Sequence, residues 1–148
     1  MIDISKIDYS ILDRPEILTN LFHPRPEFGQ SVSGSAHKDI MIPIETKIAI
    51  GARFHLTDKS ACNILFFHGN GEIVADYDEF GRILNQVGIN FLAVDYRGSG
   101  RSNGRPTVTA MMRDCHMIFN YDIFMHGFKD YMAAVTKLAE RLVPDPAK

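Results

Sequence analysis

Two short glycine-bearing runs hold the residue types with chemistry to offer. His68-Gly69-Asn70-Gly71-Glu72 follows the apolar run Asn63 to Phe67, and Asp95-Tyr96-Arg97-Gly98-Ser99-Gly100-Arg101-Ser102 follows a second apolar run, Ile89 to Val94. A glycine-rich turn between a strand and a helix lets backbone N–H groups face a ligand, since no Cβ blocks the approach. Such a turn can cradle a phosphate or hold the oxyanion of a tetrahedral intermediate. Acyl transfer would further need a serine on a sharp strand-to-helix elbow, a histidine to take its proton and an acid to orient that histidine.

Each requirement can be tested against the residues. Gly69-x-Gly71-x-x-Val74 followed by Asp95 is a partial dinucleotide fingerprint, but Val74 stands where the third glycine belongs and His68 precedes the turn. Strands before the unit oppose that reading too. For a nucleophile, Gly100-Arg101-Ser102-Asn103-Gly104 is the one formal match to the elbow pattern. An elbow needs its strand to end directly before the first glycine and its helix to start at the serine. Here Asp95 to Ser99 intervene and Gly104-Arg105-Pro106 continues the loop, so the plain reading of Ser102 is a loop hydroxyl bonded to nearby backbone.

The histidines supply no obvious base. His68 belongs to the glycine-rich turn, where a structural hydrogen bond is expected. His23, His37 and His55 lie in the amino-terminal region, and His116 falls inside a helical stripe. Asp122 and His126 stand four apart near Cys115 and His116, without a zinc-ligand spacing. No metal ligand and no cofactor is assigned.

The elements that must position these loops are legible from periodicity. Lys38 to Pro43 and Ile48 to Leu56 read as strands joined by Glu45-Thr46-Lys47 as a hairpin. Asn63 to Phe67 and Ile89 to Val94 are continuously apolar, as in parallel strands buried on both faces. Between them Phe80, Ile83, Leu84 and Val87 repeat at helical spacing, with Gly88 at the capping position. A further helix is expected from near Thr107 with Val108, Met111, Met112, Cys115, Ile118 and Phe119 on one stripe, and another from about Phe128 to Leu142. Residues 1–36 form the least regular part, with a short helix after Asp13-Arg14-Pro15-Glu16.

With these elements in place, the chain resembles the α/β-hydrolase family, in particular its bacterial lysophospholipase-like and serine-aminopeptidase-like members. The resemblance covers most of residues 38–119 and rests on the two loops, each at a strand end. It implies a partial α/β-hydrolase fold: a mostly parallel sheet in the strand order 1-2-4-3 with helices on both faces. It also implies hydrolysis of carboxylic esters or amides, with Asn70 or Gly71 offering an oxyanion-hole N–H. The domain reading is an irregular segment over 1–36, an amino-terminal half over 37–119 and a last helix over 120–148.

In that family a His-Asn-Asp-Ile type segment near the end carries the catalytic histidine. If Asp122-Ile123 matches it, Asn120 holds the histidine's place, and asparagine cannot act as a general base. The chain then reads as four strands joined directly to the final helix, with elbow, acid and base missing, as after an internal deletion. The strand at 63–67 would be left as an apolar edge open to pairing with another chain. Three functions follow in order: a hydrolase-family protein that cannot complete the mechanism alone, a non-catalytic binding or oligomerising module using that edge, and an enzyme with Ser102 as nucleophile.

Composition bounds the rest. The chain has 148 residues, 45% hydrophobic and 23% charged, with a formal charge of −2 and charges of both signs dispersed, which predicts one globular domain and no nucleic-acid partner. Cys62 and Cys115 are expected as two buried free thiols. The amino terminus lacks a signal-peptide profile and no apolar run reaches membrane-span length, so a cytoplasmic setting is expected.

Overall fold

The computed structural model describes residues 6–28 and 37–120. A short helix α1 (Pro15–Leu21) opens on proline in its first turn, as expected. Four strands follow, β1 (Lys38–Glu45), β2 (Ile48–His55), β3 (Cys62–Phe67) and β4 (Ile89–Val94), with α2 (Asp78–Gln86) between β3 and β4 and α3 (Val108–Asn120) after them. Lys47 takes a left-handed φ of 68° in the tight β1–β2 turn, and Gly88, at φ 77°, lets the chain leave α2 for β4.

The sheet order is β1-β2-β4-β3, as expected, but the sheet is mostly antiparallel rather than mostly parallel. β1 pairs β2 antiparallel, β2 pairs β4 antiparallel, and only β3 and β4 run parallel. The cause lies in the connections. A two-residue turn can only return the chain antiparallel, whereas a parallel pair needs a crossover, and the β3–β4 pair has one through α2.

Helices cover both faces. On one face Ile40, Ile42, Ile44, Ile50, Ala52, Phe54, Leu92 and Val94 pack with Ile118 of α3. On the other, Phe91 and Ala93 pack with Val74, Phe66, Tyr77 and Leu84. β4 alternates between the two clusters and is buried throughout except at Ile89. β3 is only partly buried because it is the sheet edge among the described residues, which corrects its reading as a strand covered on both sides.

Two apolar stripes also need correcting. Leu84 packs inward and Phe80 sets its ring edge-on to Phe91 at 5.4 Å, but Ile83 and Val87 are exposed. Their expected partners Val135 and Leu138, like the whole helix expected over 128–142, lie outside the described residues. On α3, Val108 and Ile118 are buried whereas Phe119 is exposed. Cys62 is exposed rather than buried, and Cys115 is half-buried, its thiol pushed up to about 12 by burial and by the neighbouring Asp114 charge. Among the described residues no helix is long and apolar enough to cross a membrane.

The α2 face of β2 is unexpectedly polar. Arg53 is buried there, its Nε and Nη2 donating to Asp39 at 2.6 and 3.0 Å, its Nη1 to Asp78 and its Nη2 to Glu27, both at 3.0 Å. His55, next on the same face, lies under Gly81, where a Cβ would come within 2.4 Å of the imidazole. The helix thus approaches β2 through its glycine rather than through a leucine.

Candidate functional site

The turn after β3 is built from its own backbone. Gly69 N–H donates to the Glu72 carboxylate at 2.7 Å, and Tyr77 donates its hydroxyl to the same oxygen at 2.6 Å. These two bonds hold the Glu72 carboxyl below its usual range, and the bond to Glu72, with burial and the Glu72 charge, pushes the Tyr77 phenol up to about 12. Gly71 takes a φ of +78°, which closes the turn and leaves open space where a side chain would sit. No described residue accepts a hydrogen bond from the N–H of Asn70 or of Gly71.

His68 and Asp95 lock this turn to the loop after β4. His68 Nε2 lies 3.1 Å from Asp95 Oδ1, and its Nδ1 lies 2.8 Å from the Gly69 carbonyl. Val74 N–H donates to the same Asp95 oxygen at 3.0 Å, and Tyr96 donates its hydroxyl to the His68 carbonyl at 3.1 Å. Both ring nitrogens of His68 therefore face acceptors, which the imidazolium satisfies best. Burial opposes that charge, but the bonds to Asp95 and Gly69 and the Asp95 and Glu72 charges outweigh it, so the His68 pKa is raised. The structural hydrogen bond expected for His68 is thus present.

The sign of the resulting pH dependence is fixed. The folded state binds the proton more tightly than the unfolded chain, so this stabilisation is complete below the unfolded pKa of about 6.5 and is lost as pH rises through the folded value. The difference in urea midpoint between wild type and His68→Asn should therefore shrink from pH 6 toward pH 9. A difference that is flat, or that grows with pH, would contradict the buried imidazolium.

The loop after β4 turns on Gly98 and Gly100 at φ +76° and +56° and ends at Gly104 at φ +82°. A Cβ at Gly100 would sit 1.9 Å from Asp95 Oδ2, so the carboxylate is cradled directly against that glycine. Arg97 anchors the loop to α3 through Asp114 at 2.6 and 2.9 Å. Ser102 Oγ accepts from Gly51 N–H at 2.8 Å, and Asn103 exchanges backbone and side-chain bonds with Ala49. Ser102 is thus a loop hydroxyl laid along β2. No histidine shares a hydrogen bond with Ser10, Ser60, Ser99 or Ser102, the serines among the described residues. Ser102→Ala should cost about 1 kcal/mol in chemical unfolding and leave fluorophosphonate reactivity unchanged. Labelling that disappears in this variant would restore Ser102 as the nucleophile.

The two loops and α1 enclose a pocket of about 140 Å³, lined among others by Phe22, His23, Asn70, Gly71, Tyr96 and Met111. The wall from Leu21 to Pro24 escaped the sequence reading. His23 gives its backbone N–H to Asn70 Oδ1 at 2.9 Å, and its Nδ1 lies 2.9 Å from Asn70 Nδ2. The signal that could have found it is the break at Pro24 and Pro26, which keeps the chain extended after α1. Asp95, the residue a dinucleotide ribose would need, is buried and committed to His68 and Val74. Asn120 is the last residue of α3, and Asp122 and His126 lie outside the described residues.

Comparison with known proteins adds a match to a family over part of the chain and a shared fold. Residues 58–122 match the model of the family described as "Serine aminopeptidase, S33". A crystal structure of an alpha-beta hydrolase from Vibrio vulnificus superposes with a TM-score of 0.51 at 24% identity, over 63% of this chain and 32% of that one. An esterase of Pyrococcus furiosus gives a TM-score of 0.43 at 19% identity, over 82% and 43%. The chain thus spans about a third of the Vibrio protein's length. The resemblance drawn from the two loops holds, and the chain carries part of an α/β-hydrolase fold.

Proposed function

We propose that this chain, a partial α/β hydrolase, forms the oxyanion side of a serine-hydrolase site for carboxylic esters or amides and cannot complete the reaction alone. The reading is carried by the pocket beside the β3 turn, where the Asn70 and Gly71 N–H groups have no acceptor among the described residues. Donors held by a rigid turn stabilise a developing oxyanion without reorganising. Catalysis also needs a nucleophile and a base. His68 is committed at both nitrogens and Ser102 at its hydroxyl. The apolar walls at Leu21, Phe22 and Met111 suit a short acyl chain. Two free thiols fit a reducing, cytoplasmic setting.

The test uses the full chain. A short alkyl phosphonate monoanion, as a mimic of the tetrahedral oxyanion, should shift the amide resonances of Asn70 and Gly71; unchanged resonances at millimolar ligand would overturn the oxyanion assignment. Hydrolysis of 4-nitrophenyl butyrate should proceed no faster than in buffer, with no fluorophosphonate adduct by mass. Saturable turnover or a one-to-one adduct would overturn the claim of incompetence.

A second reading, self-association through β3, is favoured by that strand's edge position, with β4 its one neighbour among the described residues. An unpaired edge offers its backbone groups to another chain. Sedimentation at micromolar concentration should then show a dimer, and a cooperative monomer would remove this reading.

A further inference from the structure

The polar group between β2 and α2 lies outside the pocket and plays no part in the acyl-transfer reading. His37, His55 and Asp78 each offer one ligand atom there, and these atoms all lie within 4.8 Å of one another. His55 Nε2 is 3.5 Å from Asp78 Oδ1, and His37 Nδ1 is 3.8 Å from the same oxygen. Ligands bound tetrahedrally to zinc at about 2.0–2.1 Å stand about 3.3 Å apart. The group therefore needs to contract by less than a side-chain rotation supplies.

A second observation points to a ligand. The His55 side chain is 2% exposed, and neither of its ring nitrogens has a hydrogen-bond partner. A buried polar group without a partner is costly, and folded proteins seldom leave one.

The surroundings match a cation site in charge and in outer contacts. Among the described residues Asp78, Asp39 and Glu27 gather about Arg53, with Arg101 on Asp39, so the group is rich in carboxylates. Arg53 Nη1 donates to both Asp78 oxygens, to Oδ2 at 3.0 Å and to Oδ1 at 3.2 Å, and so holds the carboxylate beside the two imidazoles; on metal binding Oδ1 exchanges the longer of these bonds for the ion. The other His37 nitrogen lies 3.9 Å from Asp39 Oδ1, the kind of carboxylate contact that orients ligating histidines. Asp78 is 41% exposed, which gives the group a route to solvent.

We propose that His37, His55 and Asp78 bind a divalent transition-metal ion, best matched by zinc, that pins the start of β1 and the end of β2 to the first turn of α2. Two imidazoles and one carboxylate suit zinc and disfavour magnesium, which prefers oxygen ligands. Three protein ligands leave the fourth position of a tetrahedral ion to water, which the exposed side of Asp78 admits, and the ion's role is to join the three elements that carry its ligands.

The experiment titrates chelator-stripped full chain with Zn²⁺ alone. One equivalent should bind at micromolar or tighter affinity and raise Tm by at least about 5 °C, while Mg²⁺ leaves Tm unchanged. Asp78→Asn and His37→Gln should each weaken Zn²⁺ binding by about a hundredfold or more. On the wild type, Co²⁺ should give hyperfine-shifted imidazole N–H signals from two histidines, a readout that does not depend on a variant folding. No Zn²⁺-dependent shift in Tm, binding untouched by both substitutions, or Co²⁺ signals from fewer than two histidines would overturn the site.

Discussion

Replacing Gly100 with alanine should cost more than about 3 kcal/mol, enough to abolish cooperative folding of a marginal domain. Two penalties add at this residue. The φ of +56° is unfavourable for any residue with a Cβ, and the new methyl would stand 1.9 Å from the Asp95 carboxylate. That carboxylate cannot step aside, because it is fully buried and holds His68 and Val74. Gly88 supplies the control. It has a φ of +77° with open space around it, so Gly88→Ala carries the backbone penalty alone, about 1 kcal/mol. Urea unfolding of the two variants should separate strain from collision. Equal losses would show that Asp95 is not pinned as described.

Arg53→Met should be comparably damaging, at about 3–5 kcal/mol for breaking a buried ion pair by removing one partner. Its guanidinium serves three carboxylates at once, and without it Asp39, Glu27 and Asp78 would face one another. Asp78 is the most exposed of the three and relaxes into solvent, so the lower end of the range applies if it carries most of the charge relief. Arg53→Lys keeps the charge but not the planar fork that reaches three partners, and should recover less than half of the loss. Chemical unfolding of both variants measures this. Full recovery with lysine would mean that charge alone, and not the hydrogen-bond geometry, holds the cluster.

The sequence makes different parts of this molecule legible for different physical reasons. β3, β4 and α3 lie within a residue of their expected bounds because their apolar runs are long and punctuated by Gly88, Asp95 and Pro106. The strand order came from resemblance and not from periodicity, and the error in parallel content arose because β1 and β2 precede the crossover unit. Arg53 and His55 sit in a run that reads as a strand, yet nothing local says that their side is covered. The partners of Arg53 are Glu27, Asp39 and Asp78, which lie up to 26 residues away in the chain. The pocket was half legible. Its glycine turn is a local pattern, while its wall at Leu21 to Pro24 is placed only by contacts across the fold.

Pro26 bridges to Gly100, with Gly100 N–H donating to Arg25 O at 2.8 Å and Glu27 N–H to Gly100 O at 2.9 Å. The joined segments are distant in the chain, so this contact closes a long loop and forms late in folding. Its support is polar rather than apolar, since α1 buries no residue and the segment is held by His23 on Asn70 and Glu27 on Arg53. Such an element should open at a fraction of the global unfolding free energy. In native-state hydrogen exchange the Gly100 and Glu27 amides should then exchange far faster than those of β4, while protection equal to β4 would make the wall part of the cooperative core. Fast exchange there would make the cavity wall a docked flap rather than part of the core, assembling last and detaching first.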